Sequence, residues 1–246
     1  MGNMLKKISI ILPAYNEEKN ISSTVASIAD FFIAKQCPYE IIVVDDGSSD
    51  GTSGIVRKIS DKNPLITLLV HAKNRGKGAA VKTGILAATG DLIAFLDSDG
   101  STPIQELEKF IPYFGQGYDI IIGSRYMRAS SIVIKQPWLR IKIGRMGNFL
   151  IQLLLLPGII DTQCGCKMFT RESAMQIFSR QKIQGWGFDM ETLAIGRNRG
   201  FRIKEIAVSW YDTTNRASRF RPLKDIQRTL GELISIKINL LLGRYR

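Results

Sequence analysis

Five short apolar runs recur through the first half of the chain, and most are followed by a segment of helical period. That alternation restricts the fold more than any other feature. The runs are Ile8–Leu12, Glu40–Val44, Leu65–Val70, Leu92–Leu96 and Tyr118–Ile122. They are nearly continuous rather than alternating, the pattern of strands buried on both faces. The segments between them, Glu17–Ala34, Ser53–Ser60, Gly76–Ala88 and Pro103–Phe114, predict helices. In the last of these, Pro103 falls near the first turn, where a missing N–H costs little. The expected fold is α/β, a mostly parallel central sheet flanked by helices and joined by right-handed crossovers.

After Gly123 the rhythm changes. A basic stretch leads to an apolar helix expected over Trp138–Leu156, stopped by Pro157 and Gly158. Asp161–Phe169 reads as a compact, Cys-containing segment. Phe188–Arg199 reads as a helix, Phe201–Val208 as a strand, Trp210–Pro222 as a basic loop and Lys224–Leu242 as a final helix. No linker-like tract separates the halves. We expect one domain over residues 1–222, with residues 223–246 as an appended basic amphipathic helix. The 246 residues suffice for one large core. Three cysteines cannot make a disulfide framework, which suggests a reducing compartment. The apolar run after Lys7 breaks at Pro13, too early for a signal peptide, and no uninterrupted run reaches membrane-spanning length.

The formal charge is +12, and it is local. Between Ile120 and Ile160 there are six basic residues and no acid; between Arg216 and Arg246 there are eight basic residues and two acids. These two segments hold the whole excess, so polyanions are expected to meet those regions: nucleic acid, phosphorylated ligands or an anionic membrane surface. In the final helix, Ile226, Leu230, Leu233, Ile234, Ile238 and Leu241 share one face, beside basic residues. Such a helix can lie in a membrane interface. We expect a peripheral or monotopic protein on the cytoplasmic side of a membrane, without a transmembrane span.

Polar clusters follow three of the strands: Pro13 to Glu17, then Asp45, Asp46 and Gly47, then Asp97, Ser98 and Asp99. Ligands of parallel sheets bind beyond the carboxyl ends of the strands. Asp97 and Asp99, one residue apart after an extended strand, can share a face and converge on one cation. Carboxylate ligands suit Mg²⁺ or Mn²⁺, ions that commonly bridge a carboxylate and substrate phosphates. A nucleic-acid-binding protein would explain the charge but not these acids, so no nucleic-acid partner is expected. The first strand lacks a Gly-x-Gly-x-x-Gly sequel, and Gly76-Lys77-Gly78 lacks the full P-loop spacing. Cys164 and Cys166, remote in sequence from the lone His71, read as packed thiols.

Four motifs occur in order: Ile11-Leu12-Pro13-Ala14-Tyr15-Asn16-Glu17-Glu18, Val43-Val44-Asp45-Asp46-Gly47-Ser48-Ser49-Asp50-Gly51-Thr52, Asn74-Arg75-Gly76-Lys77-Gly78 and Asp97-Ser98-Asp99-Gly100. Together they resemble the inverting family 2 glycosyltransferases, which have a GT-A fold. Gly123-Ser124-Arg125-Tyr126 and Asp161-Thr162-Gln163-Cys164-Gly165-Cys166-Lys167-Met168-Phe169 are similar to the polyprenyl-phosphate sugar transferase branch, nearest the dolichyl-phosphate β-glucosyltransferase type. That type also ends in a basic loop, here Ser218-Arg219-Phe220-Arg221.

The resemblance implies a nucleotide pocket lined by Pro13, Ala14, Tyr15, Glu17, Asp46, Lys77, Asp97 and Ser98, with Arg219 on a phosphate. It implies Asp97 and Asp99 as ligands of Mg²⁺ or Mn²⁺, with Asp97, Asp99, Arg125 and Asp189 as the reaction-centre residues. Arg125 and Arg202 are further phosphate candidates, since a guanidinium grips phosphate bidentately. Asp161 can touch the sugar or hold backbone, and Asp189 can cap a helix or contact the sugar. The implied donor is UDP-glucose or GDP-mannose. Gly100-Ser101-Thr102-Pro103 leans toward the glucose type. The implied acceptor is a polyprenyl or dolichyl phosphate, which is already anionic and needs no strong general base.

Overall fold

The computed structural model describes residues 6–127, 130–132, 148, 150–211 and 222–245. The first strands and helices follow the expected alternation: β1 (Ile8–Ala14), α1 (Ile21–Ala34), β2 (Tyr39–Asp45), α2 (Thr52–Ser60), β3 (Ile66–Val70), α3 (Lys77–Ala87) and β4 (Leu92–Leu96). α1 starts later than its periodicity suggests. Residues 17–20 are drawn into a turn in which the Glu17 carbonyl accepts the Asn20 and Ile21 amides, at 3.0 and 2.9 Å.

The helix expected over Pro103–Phe114 is instead a 3-10 turn, Ile104–Lys109, and a short helix α4, Ile111–Gly115. Pro112 is the reason: it has no N–H to offer a continuous helix and its ring crowds the preceding turn. The chain then runs through β5 (Ile120–Ser124), β6 (Ser131–Ile132), β7 (Cys166–Thr170), α5 (Arg171–Arg180), α6 (Phe188–Asn198), β8 (Ile203–Ala207), β9 (Ser209–Trp210) and α7 (Pro222–Leu241). Most of the expected helix Trp138–Leu156 lies outside the described residues; its end, 150–154, is helical.

The described strands form a seven-stranded sheet in the order β3-β2-β1-β4-β7-β5-β8, and β6 pairs separately with β9. β1 is parallel to β2 and β4, and β8 is parallel to β5. β7 is antiparallel to both β4 and β5, so the sheet is mixed. β7 lies in the segment that the sequence reads only as compact; Lys167 interrupts its apolar run. Lys167 is fully buried there, tolerated because its ammonium donates hydrogen bonds to the Asp189 carboxylate and the Cys164 carbonyl. α5 was not expected from its polar sequence. It begins at a Thr170 cap whose side chain accepts the Ser173 amide.

The sheet separates two apolar layers. Ile11, Ile42, Val44, Phe95 and Phe169 face one side, packed with Ile85, Phe178, Leu193 and Ile236 from α3, α5, α6 and α7. Ile10, Leu12, Ile41 and Ala94 face the other, with Val25 and Phe32 from α1 and Val56 from α2. Neighbouring strand residues point to opposite faces, so both layers are filled from the same short runs.

α7 does not present a single free apolar face. Leu233 and Ile236 are buried in the core, and Tyr245 beyond the helix is buried with its hydroxyl donating to Glu191 at 2.7 Å. Leu230, Ile234, Ile238 and Leu241 are exposed. Among the described residues no helix is long and apolar enough to cross a membrane.

Candidate functional site

The carboxyl ends of β1, β2 and β4 converge on an open cleft of about 480 Å³. Its lining includes Pro13, Ala14, Tyr15, Glu17, Asp46, Lys77, Asp97, Ser98 and Asp99, all named from sequence. It also includes Asn74 and Gly76, which belong to the third sequence motif, and Ala80 and Trp186, which the sequence reading does not assign to a pocket.

Much of the acidic sequence serves to shape this rim. Asp45 accepts the Ser48 amide at 2.9 Å, and Asp50 accepts the Thr52 amide at 3.0 Å. The Asn16 amide donates to Ser48 Oγ and the Glu17 amide to Thr52 Oγ1, so the loops after β1 and β2 are laced together. Asp46 Oδ2 accepts the Gly76 amide at 2.7 Å. Its Oδ1 accepts the Arg75 amide at 3.0 Å and faces His71 Nδ1 at 2.6 Å. Asp46 thus pins the turn into α3. Gly76 there has φ +101°, and a Cβ would lie 2.6 Å from the Gln184 carbonyl oxygen.

Lys77 opens α3 and crosses the cleft. Its Nζ donates to Asp97 Oδ1 at 2.5 Å and lies 5.2 Å from the Trp186 ring centre. Burial disfavours its charge, but Asp97, Asp189 and Asp99 more than offset this and raise its pKa. Asp99 accepts the Ser101 amide at 2.9 Å. Burial, then the neighbouring charge of Asp97, pushes the Asp99 carboxyl above the usual range. Two carboxylates crowded at one strand end are a donor set that suits a divalent cation. Among the described residues there is no larger cluster of three or more potential metal-ligating side chains.

Arg125 and Asp189 are not part of this lining. Arg125 donates through Nε and Nη2 to the two oxygens of Asp161, at 2.8 and 3.0 Å, between the rings of Tyr126 and Trp210. Burial works against Asp161, but Arg125 holds its carboxyl below the usual range. Asp161 is therefore a partner for Arg125, and Glu205 holds the backbone beneath it by accepting the Ile160 and Asp161 amides.

Asp189, in the first turn of α6, is buried against Lys167 and close enough to Lys77 and Asp97 to feel their charges. Arg202 stands at the amino end of β8, stacked on Tyr118 at 4.5 Å, at the end of the strands away from the cleft. Arg219 lies outside the described residues. Cys164 and Cys166 are free, fully buried thiols, and burial pushes Cys164 up to about 12.

Sequence reasoning missed Trp186 because it is delivered by a turn, not a strand end. Its only signal was an aromatic residue set between Gly185 and Gly187. His71, remote in sequence from Cys164 and Cys166, holds Asp46 from behind.

The family model described as "Glycosyl transferase family 2" matches residues 9–178. The human protein named dolichyl-phosphate beta-glucosyltransferase is 34% identical over 98% of this chain and 78% of its own length. The Dictyostelium discoideum protein of that name is 34% identical over 97% of this chain and 76% of its own. The Saccharomyces cerevisiae protein is 30% identical over 97% and 76%. Among solved structures, glucosyl-3-phosphoglycerate synthase from Mycobacterium tuberculosis, in complex with Mn²⁺ and UDP-glucose, superposes with a TM-score of 0.65. It is 22% identical, and the match covers 97% of this chain and 79% of that one. The likeness is one of fold: a GT-A-type α/β architecture with a mixed central sheet flanked by helices.

Proposed function

The chain belongs to glycosyl transferase family 2, and on that premise we propose that it transfers glucose from UDP-glucose to a polyprenyl or dolichyl phosphate with inversion. The observation that carries this reading is the convergence of Asp97, Asp99 and Lys77 in one cleft at the carboxyl ends of the strands. The acceptor class is supported by near full-length likeness to proteins named dolichyl-phosphate beta-glucosyltransferase.

In this reading the nucleotide lies along Pro13, Ala14, Tyr15 and Glu17, with Asp46 shaping the wall opposite. Asp97 and Asp99 would hold Mg²⁺ or Mn²⁺, which would supply Lewis-acid stabilisation for a departing diphosphate. Lys77, charged and already aimed into the cleft, adds a fixed positive charge near the same oxygens. The Trp186 ring lies against Lys77 Nζ and walls one side of the cleft. The acceptor phosphate attacks the anomeric carbon as an anion, so no side chain has to remove a proton. The engagement of Asp189 with Lys167 agrees with that: Asp189 acts as a buried counter-charge. The exposed Leu230, Ile234, Ile238 and Leu241 of α7 give a lipid-facing surface for a peripheral enzyme that meets its acceptor at a membrane, on the cytoplasmic side.

A radiolabelled transfer assay tests the proposal, with UDP- and GDP-sugars, a short-chain polyprenyl phosphate in detergent, and Mg²⁺ or Mn²⁺. Label should enter lipid from UDP-glucose and vanish in Asp99→Ala. Label from GDP-mannose alone would reassign the donor. Failure with every donor, by folded protein that still binds nucleotide sugar, would reject the lipid acceptor.

A further inference from the structure

We infer that Gly165 is a positioning residue for Asp97, required because its missing side chain leaves the space that the Asp97 carboxylate fills. The inference rests on the reading of Asp97 as a donor- and cation-binding residue. β7 enters the sheet antiparallel between β4 and β5, with Leu96 opposite Cys166. That register brings Gly165 across from Asp97, whose amide donates to the Gly165 carbonyl at 3.1 Å. A Cβ built on Gly165 would overlap Asp97 Cγ and Oδ2 and stand 2.5 Å from Oδ1.

Gly165 has no positive φ, so backbone conformation does not demand glycine here. Space does. The backbone has little freedom to yield, because the side chains on either side, Cys164 and Cys166, are fully buried. From the other side Lys77 Nζ holds Oδ1 at 2.5 Å. The carboxylate is therefore clamped between a lysine and a bare Cα, and this sets the direction in which its oxygens face the cleft. Gly187 also has a carboxylate, that of Glu232, where its Cβ would be, but Glu232 does not line the cleft.

The test is a cycle of Gly165→Ala, Asp97→Ala and the double variant, read by thermal melting, by UDP-glucose binding with Mn²⁺ and by turnover. Removing the Asp97 carboxylate removes the three atoms nearest the new Cβ. If Gly165→Ala folds, it should lower turnover about 100-fold, as misplacement of a site group by about 1 Å does. UDP-glucose binding should weaken with it. Its crystal structure should show the Asp97 carboxylate swung away from Lys77. In the Asp97→Ala background the same substitution should shift Tm by less than about 2 °C. If Gly165→Ala fails to fold while the double variant folds, the clash with Asp97 is established directly. Unfolding of both, an equal Tm loss in both backgrounds, or a Gly165→Ala protein with turnover within about twofold of wild type would overturn the inference. The melting arm uses no acceptor, so it stands apart from the assignment of the lipid phosphate.

Discussion

His71 Nδ1 lies 2.6 Å from Oδ1 of Asp46, and both side chains are buried. The ring therefore donates to a carboxylate that also holds the Arg75 and Gly76 amides. On the other side of the ring, Nε2 lies 2.9 Å from the Thr83 hydroxyl. His71→Ala should loosen the turn into α3. Loss of a buried, charge-assisted bond costs about 1–3 kcal/mol, which corresponds to a fall in Tm of about 3–10 °C for a chain of this size. The donor KM should rise more than kcat falls. Unchanged melting and an unchanged KM would mean that Asp46 needs no support from the ring.

Lys167 and Asp189 form a buried charge pair beneath the cleft. Removing one partner leaves the other charge unpaired, at a cost of about 3–5 kcal/mol. Lys167→Met should therefore be severely destabilised in urea titration. Lys167→Met combined with Asp189→Leu should recover much of the loss, since neither charge is then stranded. A double variant less stable than Lys167→Met would show that the pair contributes more than mutual neutralisation.

Acid should find the Arg125–Asp161 pair before it finds the apolar core. The folded carboxyl titrates below its unfolded value, so its stabilisation is complete above the unfolded pKa and is lost as pH falls through the folded one. Arg125→Met should be less stable than wild type at pH 7. The gap between the two Tm values should narrow as pH drops below about 4. A gap that stays constant down to pH 2 would separate the stability from this ion pair.

Ile234 and Ile238 are exposed on α7, whereas Leu233 and Ile236 are buried. Ile234→Ser with Ile238→Ser should leave the fold intact and cut flotation with anionic liposomes at least about tenfold, given about 1.5–3 kcal/mol per buried aliphatic side chain. Equal flotation of wild type and variant would move membrane contact to another surface.

The strand ends were legible because a parallel sheet announces them. Three of the apolar runs stop at a polar cluster, and these clusters, after β1, β2 and β4, meet in space. Pro13 to Glu17, Asp46, Asp97 and Asp99 could be read that way. Lys77 came from a glycine-rich turn at a helix start. What could not be read depends on pairings across long stretches of chain. Arg125 meets Asp161, His71 meets Asp46, and Trp186 arrives from the turn before α6. β7 hid behind Lys167, whose charge reads as surface until its counter-charge on α6 is known. α7 has the amphipathic period of an interfacial helix, but the period alone does not say that Leu233 and Ile236 belong to the core.

The place of β7 between β4 and β5 also governs the order in which a growing chain can complete its sheet. Through β4, each strand that emerges has a neighbour already made or soon to follow. β5 then emerges without one, because its partners in the sheet are β7 and β8. The open edge of β4 stays uncovered from residue 96 until Cys166–Thr170 is synthesised. During that interval a nascent chain exposes the apolar edge of β4, the situation in which strands pair with the wrong molecule. The stretch that follows β5 carries basic residues and no acid as far as Ile160. Like charge of this kind keeps neighbouring nascent chains apart. Translation-arrest force profiling should therefore find little pulling force with 1–127 outside the ribosome tunnel, and a strong rise once β7 and β8 have cleared it. A strong early signal would mean that the four strands β3-β2-β1-β4 fold as a unit before the sheet is closed.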